Sequence, residues 1–129
     1  VDKVLQMKDL LQRGKEARDQ INILGDDGVP IDYHITFNKA EVIDFVVLQQ
    51  DAFDDIDSST PLERQRYMVN LVLNICSSNF HFDDFEEVGN YFKRMINLLR
   101  QMNYQEFNSE KFKAIEAELQ TLIAERRAA

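Results

Sequence analysis

His34, His81, Cys76 and the aspartates of residues 51–57 are the side chains whose types and grouping invite a chemical reading, and that chemistry would be metal binding. Helical di-metal sites aim ligands inward with a Glu three residues before a His. Neither histidine has that neighbour, because Ile31 and Ser78 hold those places. A calcium loop is the sharper reading of DAFDDIDSST, since hard cations take oxygen ligands. The glycine and the terminal glutamate that such a loop needs are missing, so solvated, helix-capping aspartates account better for Asp51, Asp54, Asp55 and Asp57. Cys76 lies in the apolar run VNLVLNICSSN and is the only cysteine, so it predicts core packing and no disulfide framework. His81, between two aromatics in FHFDDFEE, reads as a local cap or packing residue with acidic neighbours in reach. No G-x-x-x-x-G-K-[ST] phosphate loop, G-x-S-x-G elbow or Cys-His pair is present, so the sequence predicts no catalytic residue and no metal ligand of its own.

Phe53 stands apart from this account. It is flanked by polar residues in QQDAFDDIDSST, and is either folded back into the core or offered to a ligand or a neighbouring subunit. An aromatic on a loop suits stacking against a flat heterocycle.

The elements that must position these residues are helices. Val4, Leu5, Leu11, Ala17, Ile21 and Leu24 form a broad helical stripe that ends at Gly25, which predicts a first helix over residues 2–24. The stretch GDDGVPIDYHIT has two glycines and a proline within six residues, and three aspartates, which predicts an exposed acidic loop. Asn38, with Glu41 three residues on, has capping-box spacing and predicts the start of a second helix, whose dense VIDFVVL run implies burial on more than one side. Thr60-Pro61-Leu62-Glu63 starts a third helix, running to about Ser78 and burying Leu62, Met68, Val69, Leu71, Val72, Ile75 and Cys76. Asp83 or Asp84 caps a fourth, through Phe85, Val88, Phe92, Met95, Ile96, Leu99 and Met102. Ser109 caps a fifth, with Phe112, Ile115, Leu119, Leu122 and Ile123 spaced by three and four. Short connections make neighbours antiparallel. The fold class predicted is all-α, an antiparallel bundle of about five helices.

Composition sets the outer bounds. At 129 residues the chain is one domain with one core, residues 1–129. Its 15 basic and 23 acidic residues give a net charge of −8, with no basic stripe interleaved with aromatics. Nucleic acid is therefore a poor partner, because phosphate contacts need clustered Lys and Arg; the acidity suits solubility or a basic protein partner. The longest apolar run falls short of the roughly 18 to 20 residues that span a bilayer, and the first residues are no signal peptide, so the expectation is a cytoplasmic chain without direct membrane insertion. Val1 already lies in a helical pattern, which predicts a domain excised from a longer subunit.

With these residues in place, DFVVLQQDAFDDID at 44–57 and SSTPLERQRYMVNLVLNI at 58–75 resemble the C-terminal helical domain of the catalytic A subunit of V-type and archaeal-type rotary ATPases. There the pattern is close to D-F-L-Q-Q-N-A-F-x-x-x-D, then a linker and an L-E-K-Q-Y-x-M-L-x-L-I-like helix. The first helix, LLQRGKEARDQINILG, is similar to that family's L-L-Q-R-E-A-E-L-Q-E-I-V-R-L-V-G. The family reads D-R-L-T-L-E-V-A-R-x-I-R where residues 32–40 here are DYHITFNKA, so the basic character after the loop is reduced. The resemblance implies that Phe53 lines the adenine side of a nucleotide site, with Ala52 and Gln50 beside it. It implies that Asp26, Asp27, Gly28, Val29 and Pro30 face the central stalk. It further implies an upstream nucleotide-binding domain, ATP or ADP with Mg in the full-length complex, B subunits as neighbours in the soluble sector peripheral to the membrane, and hydrolysis or synthesis coupled to proton or sodium transport. The isolated domain would bind no cofactor and be inactive. Two other classes remain beside this one: a stand-alone acidic helical adaptor holding a partner helix in a groove, and a carboxylate-rich metal enzyme, which the histidine spacing disfavours.

Overall fold

A computed structural model describes residues 2–48 and 61–127, and these residues form five α-helices: α1 Asp2–Leu24, α2 Ile31–Leu48, α3 Pro61–Ser77, α4 Phe85–Asn103 and α5 Glu110–Arg126. The all-α bundle predicted from periodicity is the fold found.

Helix α1 turns Met7, Leu10, Gly14, Ala17 and Ile21 to one side at steps of three and four, and packs that side chiefly on α2. The crossing is close, because a Cβ built on Gly14 would stand 2.2 Å from Ala40 Cβ. The outer members of the predicted stripe are not covered: Leu5 is 59% and Leu24 55% exposed. Helix α2 is the central element. Val42, Ile43 and Val46 are fully or almost fully buried, and the helix contacts α1, α3 and α4, so its unbroken apolar run reflects burial on several sides.

Contacts fix the directions. Gly14 opposite Ala40, with only six residues joining the two helices, makes α1 and α2 antiparallel. His34 meets Phe85 and Phe45 meets Arg100, so α2 and α4 run the same way. Tyr91 Oη donates to Leu122 O at 2.6 Å and Arg126 meets Glu87 at 2.7 Å, which sets α5 antiparallel to α4. Tyr67 Oη donates to the Glu116 carboxylate, and its ring packs against Phe107 and Phe112, tying α3 to α5.

The helix ends follow their local signals in part, and α2 departs from them most. Ser109 Oγ accepts from Phe112 N at 3.2 Å, the cap its sequence position predicts. Asn108 before it has φ 65°, a left-handed conformation that Asn tolerates better than most residues. Pro61 opens α3, while the predicted Thr60 cap lies outside the described residues. Asp84 occupies the N-cap of α4, though its side chain makes no capping hydrogen bond. Helix α2 begins at Ile31 rather than after Asn38. Asn38 sits inside the helix and its Nδ2 donates to His34 O at 2.8 Å, one turn back. The predicted loop over 25–36 shrinks accordingly, since Asp32, Tyr33 and His34 are helical. Val29, held extended (φ −122°, ψ 153°) ahead of Pro30, already aims the chain into the helix.

Cys76 is core, as its run predicts: it is 5% exposed and its Sγ donates to Lys39 O at 3.6 Å. Burial pushes its thiol up to about 12.

Candidate functional site

The acidic tip between α1 and α2 is the sequence-predicted feature for which the structure describes the whole turn, residues 25–30. Gly25 closes α1 by donating its N–H to Ile21 O at 2.7 Å, with φ 85° and ψ 164°, a region essentially reserved for glycine. A single 3-10 turn, Asp26–Gly28, follows and is held by Gly28 N–H donating to Gly25 O at 3.0 Å. Asp26, Asp27, Gly28 and Pro30 are thereby exposed together, whereas Val29 is buried at 9% and seats the turn on the bundle.

His34 fastens this turn. It is 7% exposed, and its Nε2 lies 2.9 Å from the Asp26 carbonyl oxygen. A carbonyl only accepts, so Nε2 carries the proton and donates. The ring stacks on Phe85 at 5.2 Å between centroids and 22° between planes, so one side chain of α2 joins the tip to the start of α4. Sequence reading assigned His34 no role, since the bond exists only once the chain has turned back. Gly25→Ala is expected to lower stability by about 1–3 kcal/mol through strain at that φ and ψ, and to speed amide exchange at Asp26 to Gly28 more than in α4. Unchanged exchange in the turn would show that Gly25 is not what shapes it.

His81 differs from its prediction in part. Its ring is exposed, 3.4 Å from Asp83, and only its backbone N–H works structurally, donating to Arg126 O at 2.9 Å. The flanking Phe80 and Phe82 do the packing.

Gln50, Ala52 and Phe53, with the aspartates of 51–57, lie outside the described residues. The helices leading into and out of that segment are described, and both are anchored. Arg100 lies 5.7 Å over the Phe45 ring near the end of α2. At the head of α3, Arg64 is fully buried, donates from Nη2 to Met102 O at 2.7 Å, and stands 5.7 Å over the Phe112 ring. Whatever residues 49–60 present is carried between two core-packed helices. Among the described residues, no group of three or more His, Cys, Asp or Glu is placed to hold a metal, and no helix is long and apolar enough to cross a membrane.

Comparison with known proteins bears on the same segments. Residues 1–88 match the family described as the C-terminal domain of V and A type ATP synthase. Over 117 residues, 91% of the chain, it is 32% identical to the V-type ATP synthase alpha chain of Borrelia duttonii. It is 30% identical over 119 residues, 92% of the chain, to that of Treponema denticola, and 30% over 120 residues, 93% of the chain, to that of Protochlamydia amoebophila. In each case it spans 20% of the relative's length. No solved structure gives a significant match.

Proposed function

Because the chain belongs to the family of C-terminal domains of V and A type ATP synthases, we propose that it is the helical domain of a rotary ATPase's catalytic subunit and couples the nucleotide site to the central stalk. The observation that supports this reading most is α2. It is one continuous helix of 18 residues, about 27 Å long at 1.5 Å per residue. The acidic tip precedes its first turn, and the segment holding Gln50, Ala52 and Phe53 follows its last. A packed helix transmits displacement along its axis, because a dense core is not continuously deformable.

In this proposal Phe53 stacks on the adenine, with Ala52 and Gln50 beside it, and Asp26, Asp27, Gly28 and Pro30 meet the stalk on a turn seated by Val29. ATP or ADP with Mg supplies the driving chemistry, and the phosphates and metal belong to the nucleotide-binding domain upstream. This domain adds binding and transmission, stands beside B subunits in the soluble sector on the cytoplasmic side, and is inactive alone. The coupled ion is a proton or sodium.

Two measurements on the full-length complex test the two ends. Phe53→Ala is expected to weaken nucleotide binding roughly 5- to 150-fold, since stacking of a base on an aromatic ring is worth about 1–3 kcal/mol; unchanged affinity would remove the adenine role. A cysteine placed at Asp27 is expected to cross-link to the stalk subunit. The native Cys76 does not compete in this chain, because a buried thiol held near 12 is scarcely thiolate at neutral pH. Cross-links that reach only other subunits would remove the stalk contact.

A further inference from the structure

The tip carries an apolar feature that neither its acidity nor the family assignment explains. Ile23 is 74% exposed, Leu24 beside it 55%, and Tyr33 on the facing helix 39%. Only two other large hydrophobic residues among those described, Leu5 and Tyr104, are exposed, and both lie far along the chain from this group. Single exposed apolar side chains are ordinary on a protein surface; an adjacent pair at a helix end, with Leu24 against the Gly28 turn, is not. The charge of the turn itself is one-sided as well. From residue 19 to 38 the sequence has Asp19, Asp26, Asp27 and Asp32 and no lysine or arginine. Asp19 faces Arg18, whereas Asp26, Asp27 and Asp32 are exposed and form no ion pair among the described residues. Gly25, the Asp26–Gly28 turn and the His34 bond hold this surface in one shape, so a partner meets it with little ordering left to do.

We infer that Ile23 and Leu24 are the anchors of the tip, and that they fit an apolar socket edged by lysine and arginine on the partner protein. The inference rests on the stalk-contact reading above, and reassigns what holds that contact. The two kinds of residue have separable duties. Exposed rim charges steer approach and set salt dependence but add little to residence, while branched side chains withdrawn from water in an apolar socket set the rate of leaving. The acidic residues bring the partner in, and Ile23 and Leu24 keep it.

The test uses the assembled full-length complex and follows release and rebinding of the stalk subunit across a salt series. Ile23→Ala with Leu24→Ala keeps good helix formers at exposed positions, and is expected to speed release about tenfold or more while leaving the salt dependence as it was. Asp26→Asn with Asp27→Asn is expected to slow rebinding and flatten its salt dependence, with release changed less than threefold. Release of the Ile23/Leu24 variant at the normal rate, with the Asp27 cross-link to the stalk intact, would overturn the anchor assignment while the stalk contact itself stands. A salt dependence untouched by the Asp26/Asp27 variant would overturn the basic socket. If Asp27→Cys gives no cross-link to the stalk while Ile23 and Leu24 are unchanged, the stalk-contact reading fails first and takes the anchors with it.

Discussion

Phe92→Ala is expected to lower the stability of the domain by about 3–5 kcal/mol, the usual cost of truncating a fully buried phenylalanine to alanine. Phe92 is 0% exposed and sits at the centre of an aromatic group. Its ring meets Phe80 nearly edge-on at 5.7 Å and 84°, and Tyr91 at 5.4 Å and 82°, with Phe82 at 6.4 Å. The group joins three parts of the chain: the connection after α3 through Phe80 and Phe82, α4 through Tyr91 and Phe92, and the end of α5 through Tyr91 Oη on Leu122 O and His81 N–H on Arg126 O. Truncation leaves a cavity that rigid helices on either side cannot close, so the transfer and cavity costs add. A domain of this size has only about 5–15 kcal/mol in all, and the variant should populate unfolded chain at 37 °C. Denaturant unfolding followed by circular dichroism should show a lower midpoint with an unchanged slope. A loss below about 1 kcal/mol would mean that this aromatic group does not organise the core.

Much of this core was legible because its signals are local and periodic. Ser109 caps α5 by the contact its position implies, and the Pro61-Leu62-Glu63 start and the three-and-four spacing of Val88, Phe92, Met95 and Leu99 mark α3 and α4. The start of α2 was misread because two local signals compete there. Asn38 and Glu41 have the spacing of a capping box, but an Asn inside a helix can also bond back to the carbonyl one turn earlier, which it does to His34. Only six residues separate α1 from α2, and Gly25 with Val29 and Pro30 reverses the chain within them. The role of His34 had no local signal, because its partners, the Asp26 carbonyl and Phe85, come from a turn eight residues back and a helix some fifty residues on. Leu24 could not be separated from the packed stripe by period alone, since exposure at the end of α1 depends on where α2 stops covering it, and Ile23 lay outside that stripe. The assignment of Gln50, Ala52 and Phe53 to the adenine side came from the resemblance, not from spacing, and stays a proposal. Gly14 did leave a signal: a lone glycine inside a long helical run costs about 1 kcal/mol against alanine, which is tolerated where something approaches closely.

That close approach leads to an expected result opposite in sign to helix propensity. Alanine at position 14 would ordinarily stabilise α1 by about 1 kcal/mol. Here its Cβ would lie 2.2 Å from Ala40 Cβ, where carbon atoms in contact prefer about 3.5–4.0 Å. Ala40 has no rotamer to change, so the helices must part by roughly 1.5 Å at the crossing. Overpacking of this kind costs about 1–3 kcal/mol and outweighs the propensity gain. Gly14→Val, with two further methyl groups and a β-branch, is expected to cost more than about 3 kcal/mol. The damage should be local, because α1 packs chiefly on α2: amide exchange should rise through α1 and the Asp26–Gly28 turn while α4 and α5 stay protected. Ala40→Gly alone costs about 1 kcal/mol of helix propensity, yet joined to Gly14→Ala it merely exchanges the two residues across the crossing and should restore nearly normal stability. That non-additivity separates a steric clash from a general weakening of α1. Gly14→Ala as stable as the unaltered chain, or a double variant worse than either single one, would show that the helices do not meet at this point. In the full-length complex the crossing lies 11 residues, about 16 Å, from the tip. Under the proposed coupling of tip to nucleotide site, a hairpin loosened there should lower coupled turnover well before it lowers nucleotide affinity, because the clash lies away from both the tip and Phe53 along the chain.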